Sequence, residues 1–409
     1  MVKQKKIAFT GPFGDTNFGD WAMIVNNIRS MAYHEIVLFS YGPVFNQEIV
    51  ETYLADYQIE IVEVLLDDFD EKSHFPHTPV EILGRVKNLD AIKDSLRSVD
   101  KLIVNGGGYF NDEWTEGRMV KLFKIFTPML LADQMNMPII FTGNSLGPFD
   151  LGKGFFTNMF GRMKNLKVAT RDQMYSKIWF DQLHTPHEVT FIPDDLLFIH
   201  PDLQKMQPTI QVDSDGYVVL EAYQPLDVIA SELDAIKAFV GDMKHQYNLD
   251  VVFLPLNIGN GGTDQGRYLK ERIPELILVD YSDKGYLPIQ DAVNILRHAE
   301  MVITSRYHAL VLSVAHKVPI LSVMKDEVGD KRYYYNKNGG LIQQVFNGLE
   351  VDETRLMKRN FTEAFDLLKF YFKAMVEEQK DRYESQIFQE NIIVLKQLRL
   401  DYIKDFIDD

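Results

Sequence analysis

Short runs of apolar and β-branched residues recur along the chain at Ile7–Thr10, Ile36–Ser40, Ile59–Leu65, Leu102–Asn105, Ile139–Thr142, Lys167–Thr170 and Val189–Ile192. Most are separated by segments long enough for a helix, and helical spacing of apolar positions is seen over Asp20–Tyr33, Leu89–Ser98, Met119–Met135 and Met174–Leu183. This alternation predicts βα units in a parallel sheet. A polar stretch from Asp202 to Asp215, containing Pro208 and followed by Gly216, predicts a linker and turn. Beyond it, strands are expected at Tyr217–Glu221, Val251–Pro255, Ile277–Asp280, Met301–Thr304 and Ile320–Val323, with helices over Ser231–Tyr247, Gln290–Ala299 and Ala309–His316. From Glu353 to Ile407 there is neither glycine nor proline, which predicts one long or two consecutive helices. The expected organisation is α/β, with Rossmann-like domains at residues 1–207 and 208–350 and a helical extension at 351–409.

Composition narrows the chemistry. A chain of 409 residues, 46% apolar and 25% charged, is ordinary globular protein of more than one domain. The absence of cysteine removes disulfides, thiolate nucleophiles and cysteine metal sites together. A net charge of −16 argues against a nucleic-acid partner, which would need a basic face. No apolar run approaches the ~20 residues that span a bilayer, and the run after the basic opening Met1–Lys6 is too short for a secretory signal. A cytoplasmic location is therefore expected, compatible with peripheral work at the inner face of the membrane. The segment Asp67–Pro79, with His74 and His77, reads as an irregular surface loop rather than a metal site.

In a doubly wound sheet, ligands bind beyond the carboxyl ends of the strands, so the strand exits carry the candidate chemistry. Gly11–Asp20 is a glycine-rich turn into a helix, whose backbone N–H groups could hold an anion and whose Asn17 or Asp20 could instead cap the helix. Asn105-Gly106-Gly107-Gly108 and Thr142-Gly-Asn144-Ser-Leu-Gly-Pro148 are further glycine-bearing exits, suited to close approach of a ligand or to tight turns. Arg171 precedes Asp172 after another strand, as an anion contact or half of a local ion pair. The most informative exit is Thr304-Ser-Arg306-Tyr-His308-Ala309. It puts an arginine and a histidine at the start of an apolar helix, whose positive end lowers a histidine pKa while a bound phosphate raises it.

Taken together, Asn17-x-Gly19-Asp20-x-Ala22, Asn105–Gly108, Gly143–Pro148, Thr170–Asp172, Pro193-Asp194 and Arg306-Tyr-His308-Ala309 resemble the polysaccharide pyruvyl transferases in order and spacing. The resemblance runs from the N-terminus to about Val323. It implies a glycosyltransferase-B-like fold, two Rossmann-like domains facing a cleft, with C-terminal helices. It also implies transfer of the enolpyruvyl group of phosphoenolpyruvate to two hydroxyls of one sugar, forming a pyruvate ketal, with a sugar, lipid-linked or polymeric glycan as acceptor. Carried onto this chain, Arg306 and Arg171 would hold the donor's phosphate and carboxylate, His308 would be the general acid, and Asp20 would be the base or acceptor partner. Asn17, Gly19, Gly106, Gly107, Gly108 and Asn144 would line the substrates, and neither metal nor cofactor is called for. The pattern departs near its end, where Met324–Lys331 replaces an aromatic-Asp-x-Lys stretch, so Lys325 or Lys331 would take the donor-side role. Tyr109, Phe110, Trp114 and Tyr307 are candidate aromatic faces for a sugar, with core packing as the alternative. Two rival readings accompany this one: a nucleotide-sugar-dependent glycosyltransferase, and a non-catalytic carbohydrate-binding or assembly protein.

Overall fold

The apolar runs become two parallel sheets in the computed structural model, which describes residues 6–31, 33, 35–67, 78–258, 262–324 and 331–408. The chain divides into two units. The first comprises 1–15, 20–195 and 398–409; the second comprises 16–19 and 196–397. The division falls at Asp195/Leu196, ahead of the boundary expected at 207/208, and the last residues of the expected helical extension group with the first unit. The expected linker also belongs to the second unit. There the Thr209 N–H and hydroxyl each donate to the Asp291 carboxylate at 2.6 Å, and such pairing ties an otherwise polar segment down.

The first unit's strands are β1 (Lys6–Thr10), β2 (Glu35–Ser40), β3 (Gln58–Glu63), β4 (Lys101–Val104), β5 (Gly107–Phe110), β6 (Ile139–Phe141), β7 (Asn144–Leu146), β8 (Leu166–Thr170) and β9 (Val189–Phe191). They form a nine-stranded sheet in the order β3-β2-β1-β4-β6-β8-β7-β5, with β9 also on β8. Interior β4 is buried throughout, as a strand covered on both faces must be, whereas edge strand β3 alternates exposed Gln58 and Glu60 with half-buried Ile59 and Ile61. The short β5 and β7 stand where the sequence suggests glycine turns. They form because β7 pairs with β8 and then accepts β5. Phe110, Phe126, Phe141, Phe156 and Phe160 interlock under them with ring centroids 5.2–6.4 Å apart.

The second unit holds β10 (Tyr217–Glu221), β11 (Asp250–Phe253), β12 (Ile277–Leu278), β13 (Val302–Thr304), β14 (Ile320–Val323) and β15 (Met357–Lys358). All pairs are parallel, in the order β12-β11-β10-β13-β14-β15. Numbered within the unit this is 3-2-1-4-5-6, the Rossmann order, and its switch point lies between β10 and β13. The predicted C-terminal helices are Phe361–Glu384 and Gln386–Asp408. The first packs Phe365 flat on Phe239 at 4.2 Å and exchanges hydrogen bonds between Gln379 and the Ile320 backbone. Among the described residues no helix is long and apolar enough to cross a membrane.

Candidate active site

At the switch point of the second sheet, β10 ends in Glu221, a fully buried carboxylate, and β13 runs into Ser305 and Arg306. Its Oε2 accepts from the N–H groups of Ser305 and Arg306 at 3.2 and 3.0 Å and from the Thr304 hydroxyl at 2.9 Å. Its Oε1 accepts from Arg306 Nε at 3.2 Å. Burial pushes the Glu221 carboxyl above its ordinary range, and Arg306 and these donors oppose that push. One carboxylate thus shapes the turn and aims the guanidinium.

Arg306 is held on further sides. Its guanidinium carbon lies 3.7 Å from the centroid of the Tyr223 ring, and Nη1 donates to Asn17 Oδ1 at 3.4 Å. The side chain is only 10% exposed, yet Nη2 is buried with no hydrogen-bond partner. A buried guanidinium N–H left without a partner is costly. Arg306 also precedes the helix Tyr307–Ala315, whose first turn carries the half-buried His308. Residues 16–19 complete the surroundings. Asn17 forms an antiparallel bridge with Asn257, Phe18 N–H donates to Leu256 O at 3.1 Å, and Gly19 lies against the His308 ring. Arg306, His308, Asn17 and Gly19, all singled out from sequence, are brought together here.

The other candidates belong to the first unit, in different roles. Gly106 and Gly143 direct their N–H groups to Asp195 Oδ2 at 3.2 Å and Oδ1 at 3.4 Å, not to open space. Asp195, fully buried, also accepts from Thr142 at 2.7 Å, Asn27 at 2.9 Å and Arg399 at 2.5 Å. The exits read as suited to close approach of a ligand already hold an internal carboxylate, and Gly106 is glycine because a β-carbon there would meet Asp195 Oδ2 at 2.4 Å. Gly107 and Gly108 open β5, and Gly107 N–H donates to Gly143 O. Asn144 opens β7, accepts from Arg171 N–H, and keeps a buried Oδ1 without a partner. Asp20 is buried in the first turn of the helix Phe18–Ser30, close enough to Tyr41 and Tyr109 to add to the rise that burial imposes on both phenols.

Arg171 is 2% exposed, with Nη1 on Asp194 at 2.7 Å and Nε on Ser145 at 2.9 Å. The adjacent Asp172 accepts from Ser176 and Met174 N–H at the start of the next helix. Tyr109, Phe110, Trp114 and Tyr307 are core residues, 0–5% exposed, which removes them as open sugar platforms. Lys325 lies outside the described residues, as do His74 and His77, and Lys331 begins the helix Lys331–Val345 with its side chain outside them. Glu221, Tyr223, Asn257, Asp195 and Arg399 were not singled out from sequence.

The family model for polysaccharide pyruvyl transferase matches residues 21–324. The chain belongs to that family. As a pyruvyl transferase it is placed among the transferases of polysaccharide biosynthesis, and its fold is that of glycosyltransferase-B enzymes. Similar solved structures include Anabaena Alr3699/HepE in complex with UDP-glucose, with TM-score 0.58 and 11% identity over 98% of this chain and 99% of that one. They also include the UDP-GlcNAc 2-epimerase of Neisseria meningitidis bound to UDP-GlcNAc, with TM-score 0.53 and 12% identity over 96% and 99%. S. aureus MnaA with UDP gives TM-score 0.53 and 14% identity over 97% of each chain. At these identities the likeness is one of fold. No curated protein matches the chain.

Proposed function

We propose that this pyruvyl transferase moves the enolpyruvyl group of phosphoenolpyruvate onto two hydroxyls of one sugar in a polysaccharide or its precursor. Arg306 contacts a donor anion, its planar fork suiting phosphate or carboxylate. His308, in the first turn of the helix that Arg306 precedes, supplies the proton to C3 of the donor. The electron pair of the C2–C3 double bond takes that proton and leaves an oxocarbenium-like C2. One sugar hydroxyl adds to C2, the C2–O bond to phosphate breaks, and a second hydroxyl closes the ring; of the two hydroxyl protons one leaves with phosphate and the other restores His308, directly or through solvent. The ketal carries the former methylene as a methyl group.

The observation carrying this reading is the unmade Nη2 donor of Arg306, on a guanidinium held by Glu221, Tyr223 and Asn17 two residues ahead of His308. Phosphate release from phosphoenolpyruvate, measured across a panel of lipid-linked and polymeric glycans, tests it. An acceptor-dependent burst of phosphate, with the acceptor gaining a pyruvate ketal by mass spectrometry, is expected for the native protein and not for His308→Ala. Release of a nucleoside diphosphate from a nucleotide sugar with the same acceptors would overturn it.

A further inference from the structure

We propose that Glu221 is a positioning residue for donor binding, acting through Arg306; the proposal rests on the phosphoenolpyruvate reading above. A free arginine at a strand exit has several rotatable bonds and presents its N–H groups in many directions. Ordering it on binding costs affinity, and ordering it beforehand avoids that cost. Glu221 does so twice over. Its Oε1 fixes Nε, which limits how the guanidinium can turn, and its Oε2 takes the backbone N–H groups of Ser305 and Arg306, which fixes where the side chain starts.

The alternative, that Glu221 only neutralises a buried cation, leaves part of the arrangement unexplained. Neutralisation needs one contact, but this carboxylate divides its oxygens between guanidinium and turn, while Tyr223 covers one face of the guanidinium and Asn17 takes Nη1. Nη2 is left without a hydrogen-bond partner. The carboxylate also lowers the net positive charge of the site, so a donor anion is recognised by aimed hydrogen bonds more than by bulk field.

The test is a double-mutant cycle on the full chain, with phosphoenolpyruvate and inorganic phosphate as titrants. Glu221→Gln keeps the shape but turns an N–H₂ toward one set of donors, and Arg306→Lys keeps the charge without an Nε for Glu221 to hold. Glu221→Gln should weaken phosphoenolpyruvate binding about 10- to 100-fold, the range for one charge-assisted hydrogen bond, and should add little in the Arg306→Lys background. Thermal unfolding runs in parallel, and Glu221→Asp serves if Glu221→Gln does not fold, with affinity expected below that of the native protein. Equal losses in both backgrounds, or native affinity in Glu221→Gln or Glu221→Asp when Arg306→Lys has lost it, would overturn the proposal alone. A native protein that binds no phosphoenolpyruvate would overturn the donor reading beneath it.

Discussion

Gly19 lies against His308 so closely that a β-carbon on it would fall 1.7 Å from Nδ1 of the imidazole. The absence of a side chain at Gly19 is thus what lets His308 keep its place in the first turn of its helix. Gly19, expected to line the substrate, also packs against the proposed acid.

Gly19→Ala isolates that contact. Gly19 is the second residue of the helix Phe18–Ser30, where alanine suits the backbone better than glycine, so the steric conflict with His308 decides the outcome. Turnover should fall at least ~10-fold, in the range lost when a positioned acid is displaced, while phosphoenolpyruvate affinity stays near native. Steady-state kinetics beside calorimetric binding read the two apart, and equal losses in both would count against a role through His308.

The Asp195–Arg399 pair tests how the last helix is held. Asp195 is fully buried and Arg399 is 4% exposed, so removing either leaves an uncompensated charge in the interior of the first unit. Arg399→Met should cost about 3–5 kcal/mol of stability, read from the denaturant midpoint. A change within about 0.5 kcal/mol would mean that Asn27, Thr142 and the glycine N–H groups suffice for Asp195 without the cation.

Glu221 predicts a pH dependence. Burial raises its carboxyl from the ordinary value of 4.5, so its protonation, and with it release of Arg306, begins above the usual carboxylate range as pH falls. Phosphoenolpyruvate affinity should therefore drop on an acid limb lying above pH 4.5, and Glu221→Gln should flatten that limb. Stability runs the other way. The raised value favours the folded state fully below the unfolded pKa, and that contribution is lost as pH rises through the folded one. Calorimetric titrations from pH 5 to 8 check the binding arm, and an identical limb in Glu221→Gln would assign it to another group.

Tyr223 is expected to matter less. Its ring contact with Arg306 is partly exposed, and Tyr223→Leu should weaken donor binding by about 2- to 30-fold, the span of a cation–π contact. A loss beyond that of Arg306→Ala would show that Tyr223 touches the donor itself.

Much of this fold was legible because both sheets are built from apolar, β-branched runs separated by amphipathic helices, and β10 and β14 lie where the pattern puts them. Strands β5 and β7 were not, because Gly107-Gly108 and Asn144-Ser145 carry neither β-branching nor alternation; neighbouring strand edges recruit them. Arg306 and His308 stood out as polar residues between an apolar strand and an apolar helix. Glu221 left a fainter sign, a carboxylate ending the otherwise apolar run Tyr217–Leu220. Arg399 left none: on its helix it reads as one more cation, and its partner Asp195 is 204 positions away. Glycine at 106 marked a close approach correctly, but the approaching group is the protein's own carboxylate.

The central claim is that the Arg306 guanidinium receives a phosphoenolpyruvate anion, and isothermal titration of native protein and Arg306→Ala with phosphoenolpyruvate and with UDP-sugars tests it most directly. Saturable phosphoenolpyruvate binding that disappears in Arg306→Ala, with no heat from the UDP-sugars, is the predicted result. Binding of a UDP-sugar in place of phosphoenolpyruvate, or phosphoenolpyruvate binding untouched by Arg306→Ala, would contradict it.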